Sequence, residues 1–282
     1  MNHYNINENL NQITFTDKRF YLDNNTNTFV PSVTTILNYY PKDQFLIKWI
    51  REQGQEGLEK FKKAGEEGGL VHDLTEELDK GQTLDIRNLN LQDQPISVWN
   101  SLERYVEFRN QEDNLIPTEI EEPFVCIDNA FKFGGTIDRV VTNKVTNERF
   151  ILDIKTSKSI YPYFWVQLGA YTRAYELRTG HKITDTCILH LKALTRTNKP
   201  YQGKGWKLSF CKPTTGKTWH EFYEIFKMTY KFYELQNENT KPNNTTLNLK
   251  LKLNDNIDIQ KTTTENPHFP ITNQKEIPKI KS

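Results

Sequence analysis

Hydrophobic positions follow a helical period over much of the first half of the chain. Apolar residues recur at roughly helical spacing between 43 and 63, and leucines recur at every fourth position between 66 and 80. A third stretch of this kind extends from about Ser97 to Gln111. A period near 3.6 residues is typical of amphipathic helices. Ser32 directly follows a proline and has the composition of an N-cap, so a further helix is predicted to begin there.

A strand pattern replaces the helical one in the middle of the chain. Apolar, β-branched and aromatic residues are concentrated at 117–127, 131–142 and 149–155. Segments of this length and composition are typical of strands. The polar stretch before the third segment contains Asn143 and Asn147, which favour a turn. The second and third segments are therefore predicted to form a hairpin.

Helical and strand patterns both occur between residues 161 and 235. Helices are predicted at 161–179 and 218–235, and strands at 184–194 and 206–211. The last helix is strongly aromatic, and its aromatic stripe favours a core position over a binding surface. A short hairpin is predicted near the N-terminus, over 13–30. This order of elements predicts an α/β fold, with a single mixed sheet flanked by helices.

A shift in composition near Gln236 divides the chain. Asn, Thr and Lys dominate after this point and apolar residues become sparse. We therefore predict one domain over 1–236, with a helical part at about 31–112 and a core at about 113–236. Residues 237–282 are predicted to form a polar tail that is largely disordered, since such a composition buries too little apolar surface to order itself. A small appended β element is the alternative.

Composition excludes several classes of protein. The 37 Lys and Arg residues are balanced by 36 acids, so a general basic field is absent and only a local basic groove remains open. Cys126, Cys187 and Cys211 are scattered, which indicates buried free thiols and not a metal cluster or a disulfide framework. No apolar run approaches the ~20 residues that span a bilayer, and no signal peptide is recognisable. A cytoplasmic protein without a membrane partner is expected.

The strand segment after the predicted hairpin turn carries the most informative chemistry. Side chains alternate faces along a strand, so Asp153 and Lys155 lie side by side on one face. Asp138 can join them from the neighbouring strand. Two carboxylates can hold a hard divalent cation through oxygen ligands, and a lysine can position a water for attack on a phosphodiester. An exposed strand pair without a ligand is the alternative for Asp153 and Lys155 taken alone.

Four motifs in this region resemble a known superfamily. Gly-Thr-Ile-Asp138, then Leu-Asp153-Ile-Lys155-Thr, then Gln167-Leu-Gly-Ala-Tyr171 resemble the PD-(D/E)XK nuclease signature, in the variety of its RecB-like exonuclease branch. That branch includes CRISPR adaptation nucleases and the mitochondrial genome maintenance exonuclease. Upstream, the segment Gly-Gly-Leu-Val-His72 resembles the Gly-x-x-x-His motif of the branch, which lies on a helix. The likeness covers roughly residues 65 to 175.

The resemblance implies a PD-(D/E)XK core and a role for each matching residue. It implies a set of metal ligands for Mg²⁺ or Mn²⁺: His72, Asp138, Asp153 and the backbone carbonyl of Ile154. Lys155 would activate or orient the water. Gln167 and Tyr171, one helical turn apart, would brace the site or contact DNA. Several relatives hold an iron–sulfur cluster on four cysteines, and the three cysteines here do not provide one.

Additional candidates surround these motifs. Among three glutamates that precede the Asp138 strand, we favour Glu121 as a further metal ligand, because it shares strand parity with Glu119. A solvated acidic strand end is the alternative. Contacts to DNA are expected from a group that combines aromatic rings with a cation: Lys158, Tyr161, Tyr163 and Trp165. A second basic cluster, which could equally be a solvated loop, contains the following residues: Lys192, Arg196, Lys199, Lys204 and Lys207.

The function expected from these observations is metal-dependent hydrolysis of DNA by an exonuclease that acts at DNA ends, single-stranded ones among them. Such an enzyme would serve DNA recombination or repair and would work with a recombination or replication partner protein. The richness in Asn, Lys and Ile favours an AT-rich genome, such as that of a bacteriophage. The alternatives are an endonuclease of the same fold, a non-catalytic nucleic-acid-binding module, and a structural metal-binding protein.

Overall fold

The computed structural model describes residues 4–7, 12–15, 18–26, 28–41, 44–85, 87, 96–191 and 205–237. The strands are β1 (Tyr4–Asn7), β2 (Gln12–Phe15), β3 (Lys18–Asp23), β4 (Thr28–Pro31), β5 (Leu115–Asp128), β6 (Phe131–Asn143), β7 (Arg149–Lys155), β8 (Asp185–Leu191) and β9 (Trp206–Phe210). The helices are α1 (Val33–Leu37), α2 (Gln44–Asp79), α3 (Ile96–Gln111), α4 (Pro162–Thr179), α5 (Cys211–Thr215) and α6 (Trp219–Gln236).

The five-stranded sheet has the strand order β5-β6-β7-β8-β9. All neighbouring strands are antiparallel except β7 and β8, which are parallel. A parallel pair needs a crossover connection, and α4 supplies it between β7 and β8. Helices cover both faces of the sheet. The prediction of an α/β fold with a mixed sheet flanked by helices is therefore confirmed.

Two layers of core lie on opposite faces of this sheet. Ile151 belongs to the first core cluster, together with buried side chains of α1, α4 and α6. Leu152 and Ile154 belong to the second core cluster, together with α2 and α3. Alternate residues of β7 thus face different layers, as the strand period predicts. Most aromatic side chains of α6 are buried in the first cluster, which confirms the prediction that its stripe is core, whereas Phe232 is 51% exposed.

A second, four-stranded antiparallel sheet precedes the helices, in the order β1-β2-β3-β4. Its last two strands form the hairpin predicted over 13–30, and the turn is held by Asp23, whose carboxylate accepts hydrogen bonds from Asn25 and Thr26. Residues 13–15 of the predicted hairpin form strand β2, which pairs with β3, whereas β1 and a second sheet beside the predicted mixed sheet were not expected. A hydrogen bond of 3.0 Å between the Tyr21 and Thr136 hydroxyls fastens this sheet to β6.

Helices α3, α4 and α6 begin and end within one residue of the positions predicted from the sequence. Ser32 caps α1 by accepting a hydrogen bond from the Thr35 amide, as predicted. The separate helices predicted at 43–63 and 66–80 are instead one element, α2, of 36 residues. The break in α2 lies earlier, at Gly54, which has a φ of 58° and a ψ of −136°. Glycine adopts this backbone conformation readily because it has no Cβ. Helix α5 was not predicted.

The predictions for the cysteines, for membrane-spanning segments and for the tail were made from composition. All three cysteines are buried and free, and burial raises the pKa of the Cys126 thiol to about 12 and of the Cys211 thiol to about 11. Among the helices in the described ranges, none has the length and apolar character needed to cross a bilayer. The predicted tail lies outside the described residues from 238 onward.

Candidate metal centre

The candidate site begins where β6 and β7 separate. Their ladder pairs Arg139 with Leu152, and Asp138 lies one residue beyond the last pair. There the Asp138 carboxylate takes the place of a ladder partner, because its Oδ2 accepts a hydrogen bond of 2.8 Å from the backbone N–H of Ile154. The aspartate is therefore fixed by the backbone of the strand that carries Asp153 and Lys155.

Helix α2 brings His72 to the same carboxylate. His72 Nδ1 lies 3.1 Å from Asp138 Oδ2, and the imidazole side chain is 25% exposed. One turn earlier, a Cβ added at Gly68 would lie only 3.2 Å from the hydroxyl of Thr156. The absence of a side chain at Gly68 thus permits α2 to approach the chain directly after β7. Val71 and Leu74 face the second core cluster and set the rotation of the helix.

Glu121 completes a group of three candidate ligands. One ligand atom from each of His72, Glu121 and Asp138 lies within 4.8 Å of the others. Glu121 has a φ of 47°, which is uncommon for a residue with a side chain. By contrast, Glu119 accepts a hydrogen bond of 2.5 Å from the Tyr175 hydroxyl on α4. The structure thus places Glu121 and not Glu119 in the group, and the parity argument for Glu121 was wrong, since the unusual φ interrupts the alternation.

Asp153 and Lys155 form an ion pair beside this group. Lys155 Nζ lies 2.6 Å from Asp153 Oδ2, and the Asp153 side chain is 2% exposed. Gln167 Nε2 lies 3.4 Å from Asp153 Oδ1 and donates a hydrogen bond of 2.9 Å to the Tyr171 hydroxyl. The structure therefore brings together all four of these predicted residues, and Gln167 lies between Asp153 and Tyr171. For Ile154 it is the backbone N–H that contacts Asp138, and the ligand role of its carbonyl stays a prediction.

The electrostatics of the site reflect buried carboxyl groups in close proximity. Burial raises the pKa of Glu121 to about 7, and the charge of Asp138 adds to this effect. Burial also raises the pKa of Asp153 above its usual range, although the charge of Lys155 opposes the shift. Burial acts in the same direction on Asp138, but the charges of His72 and Lys155 outweigh it and lower its pKa. Close carboxylates resist simultaneous ionisation unless positive charge is supplied.

The two cationic partners respond to the same field. Burial by itself lowers the pKa of His72, but attraction to Asp138 outweighs it, and the net pKa is raised. Burial likewise opposes the charged form of Lys155, and the charges of Asp153 and Asp138 outweigh it and raise its pKa. Lys155 therefore remains a cation, and its ammonium lies 4.8 Å from the centre of the Phe164 ring.

The expected nucleic-acid contacts are only partly on the surface. Tyr161 and Tyr163 are half-buried and their rings lie nearly parallel, with centroids 5.8 Å apart, and Lys158 is exposed. The prediction for Trp165 is corrected, because this side chain is 5% exposed and belongs to the first core cluster. In the second basic cluster, Lys207 is exposed on β9, and the other four members lie outside the described residues.

The sequence pattern did not predict one residue of this site. Arg139 directly follows Asp138, and it is 1% exposed. An arginine inside an otherwise apolar strand was the only sign of it in the sequence. Such an arginine is expected to be exposed unless an acidic partner for it is known. The acid that neutralises it, Asp79, lies 60 residues earlier at the end of α2.

Neither a comparison with models of known protein families nor a search of curated proteins gives a match to this chain.

Proposed function

We propose that the protein is a Mg²⁺- or Mn²⁺-dependent nuclease of the PD-(D/E)XK superfamily, close to its RecB-like exonuclease branch, that hydrolyses phosphodiester bonds from DNA ends. The observation that carries the proposal is the convergence of His72, Glu121 and Asp138 within 4.8 Å, beside the ion pair of Asp153 and Lys155. A group of ligand atoms next to a buried lysine is an arrangement suited to phosphate chemistry.

The residues present fit a divalent cation. Carboxylate oxygens suit Mg²⁺ and Mn²⁺, and the set includes a single imidazole and no thiolate. Asp153 Oδ2 is buried and, apart from the ion pair with Lys155, makes no hydrogen bond of normal geometry. A buried carboxylate oxygen in this state has capacity for a further positive partner. His72, Glu121, Asp138 and Asp153 would hold the cation, which when bound would polarise a phosphoryl oxygen and lower the pKa of water.

Lys155 would act as a donor and not as a base. Its raised pKa keeps it protonated near neutrality, so its ammonium can orient a water molecule and stabilise the negative charge that develops on the phosphorus centre. Asp153 restrains the ammonium through the ion pair, and Gln167 restrains Asp153. The protein's contribution is therefore positioning and electrostatic stabilisation, and no covalent intermediate is required.

The proposal is tested by digestion of end-labelled linear DNA and circular DNA, each single-stranded and double-stranded, with Mg²⁺, with Mn²⁺ and with EDTA. We expect release of nucleotides from linear DNA with either metal, none with EDTA, and resistance of circular DNA. Cleavage of circular DNA would replace the exonuclease by an endonuclease of the same fold. Binding of DNA without release of nucleotides in any metal would contradict the proposal and favour a non-catalytic binding module.

A further inference from the structure

Arg139 is a fully buried cation that contacts three elements of the candidate metal centre. Its Nη1 donates a hydrogen bond of 2.6 Å to the carbonyl oxygen of Asp138 and lies 3.4 Å from Glu121 Oε1. Its Nη2 lies 3.3 Å from the hydroxyl of Thr75 on α2. The guanidinium group thus spans β6, β5 and α2, which are the elements that carry Asp138, Glu121 and His72.

The far side of the guanidinium is fixed by an acid. Arg139 Nε donates a hydrogen bond of 2.6 Å to Asp79 Oδ2. Asp79 also accepts a hydrogen bond from the Tyr105 hydroxyl and pairs with Arg109 Nε at 3.3 Å, both on α3. A buried charge is costly unless it is paired and hydrogen-bonded, and this network provides both for Arg139. The orientation of the guanidinium plane is therefore determined from outside the site.

Arg139 is linked to Glu121 by a direct contact and to His72 by a contact through Thr75. Within the described part of the chain, the ion pair with Arg139 is the one polar side-chain contact of Glu121 apart from the ligand group itself. The Thr75 hydroxyl donates a hydrogen bond of 2.9 Å to the carbonyl oxygen of His72, so the contact of Arg139 with Thr75 reaches the turn that carries the imidazole.

We propose that Arg139 is a positioning residue of the metal centre, which orients the Glu121 carboxylate and holds the His72 turn of α2 against β6. This inference rests on the proposed metal-dependent function. The planar guanidinium serves all four contacts at once, which an ammonium of the same charge cannot do. Partners that orient metal ligands typically influence metal affinity about 10–100-fold when they are changed.

The test is the affinity for Mn²⁺, measured by isothermal titration of the full chain without DNA. We expect Arg139→Gln and Arg139→Lys to bind Mn²⁺ about 10–100-fold more weakly than the wild type. The matched control is Arg109→Gln, which removes a cation from the same Asp79 network but contacts no candidate ligand, and it should bind Mn²⁺ like the wild type. Circular dichroism shows whether each variant is folded at the temperature of titration.

Two further variants separate positioning from a purely structural role. Thr75→Val leaves Arg139 in place but cuts its link to His72, and we expect weaker Mn²⁺ binding from it even if both Arg139 variants fail to fold. When Arg139→Lys is combined with Glu121→Gln, the loss should be smaller than the product of the two separate losses, since the arginine acts partly through that carboxylate.

The failures of the two proposals are distinguishable. A wild-type protein that binds no Mn²⁺ would overturn the metal-dependent function itself, before any variant is considered. A wild type that binds Mn²⁺, with unchanged affinity in folded Arg139→Lys or in Thr75→Val, would overturn the positioning role of Arg139 and leave the proposed function standing.

Discussion

At the scale of single residues, the candidate site is a place where negative charge is concentrated out of water. Glu121, Asp138 and Asp153 are all more than half-buried, and the cations nearest to them are His72, Lys155 and Arg139. Each carboxylate therefore has a distinct partner, and each substitution there removes a different part of the proposed chemistry.

Asp138 and Asp153 are the residues for which a change of one atom is most informative. Asp138→Asn or Asp153→Asn deletes an anionic oxygen ligand while it keeps the size of the side chain. We expect folded proteins in which the cleavage rate falls about 10²-fold or more, as is typical for loss of a key electrostatic group. Asp113→Asn is the matched control, because Asp113 is an exposed acid that pairs with Lys144. Retention of more than about a tenth of the rate by both variants would contradict the metal assignment.

Lys155 is predicted to act on water and charge and not on the metal. Lys155→Ala should abolish turnover while Mn²⁺ binding survives, because Lys155 offers no ligand atom as a protonated ammonium. Titration with Mn²⁺ together with a nuclease assay on linear DNA measures both properties. Normal turnover in this variant would reduce Lys155 to a structural partner of Asp153.

At the scale of elements, the close approach of α2 to the end of β7 determines where His72 lies. Gly68 faces the Thr156 hydroxyl, whereas a Cβ at Gly69 would meet nothing within 4 Å. These neighbouring glycines therefore form a natural pair of positions, one at the contact and one in open space.

Substitution of the two glycines by alanine should affect stability and cleavage differently. Gly69→Ala is expected to raise the free energy of unfolding by about 0.5–1 kcal/mol, since alanine favours the helix, and to leave cleavage unchanged. Gly68→Ala should stabilise less and should lower the cleavage rate, because its Cβ pushes α2 away from Thr156. Urea unfolding and rates on linear DNA provide the comparison. Equal behaviour of the two variants would show that the approach of α2 does not matter for activity.

A second ionic contact ties the end of β5 to two helices. Asp128 accepts hydrogen bonds from Arg173 on α4 (2.9 Å) and from the Tyr223 hydroxyl on α6 (2.8 Å). The hydrogen bond with Arg173, more than any other contact, lowers the pKa of the Asp128 carboxyl. A group with a lowered pKa in the folded state stabilises the protein above its unfolded pKa, and this contribution is lost as the pH falls through the folded value.

The pH dependence of stability tests this contact. Asp128→Asn should lower the free energy of unfolding by about 1.5–3 kcal/mol at pH 7, the range for a hydrogen bond to a charged group. The difference from the wild type should shrink as the pH is lowered below about 4, where the carboxyl is protonated in the unfolded chain. Urea unfolding between pH 3 and pH 7 measures it, and a difference that is constant across this range would exclude the ionic contribution.

At the scale of the whole molecule, Asn237 is the last residue that the structure describes, and it joins two parts of the domain. This residue is 2% exposed, and its side-chain oxygen accepts hydrogen bonds from Lys18 on β3 (3.1 Å) and from the Tyr39 hydroxyl (3.2 Å). The end of α6 is thereby connected to the N-terminal sheet. The domain boundary predicted from composition at residue 236 stays a prediction, because the residues after Asn237 lie outside the described part of the chain.

Truncation of the chain tests whether the domain that ends near Asn237 is independent of the predicted tail. A protein that ends after Asn237 should fold and cleave linear DNA like the full chain, whereas one that ends after Leu235 should have a lower melting temperature, because it lacks the Asn237 contacts. Residues 238–282 contain seven Lys and no Arg, so their removal is expected to weaken DNA binding slightly at low salt. Precipitation of the protein that ends after Asn237 would show that the remaining residues belong to the core.

The sequence by itself determined where most helices and strands lie. It also determined which side chains are neighbours when they are close together in the chain. Alternation along a strand placed Asp153 beside Lys155, and one helical turn placed Gln167 beside Tyr171. The hairpin that brings Asp138 to β7 follows from turn residues between two apolar runs. These features depend on periods of two or 3.6 residues, which can be read without knowledge of the fold.

Only the tertiary structure decided the features that depend on distant residues or on a departure from regular strand geometry. The burial of Arg139 rests on Asp79, the burial of Trp165 rests on α6, and the direction of Glu121 rests on a local backbone angle that interrupts the strand period. For Arg139 and Trp165 the partner comes from another element, and the free energy of burying a charge or a ring depends on that partner. A sequence pattern predicts the period of a helix or strand, but it does not predict which side chain of another element packs against it.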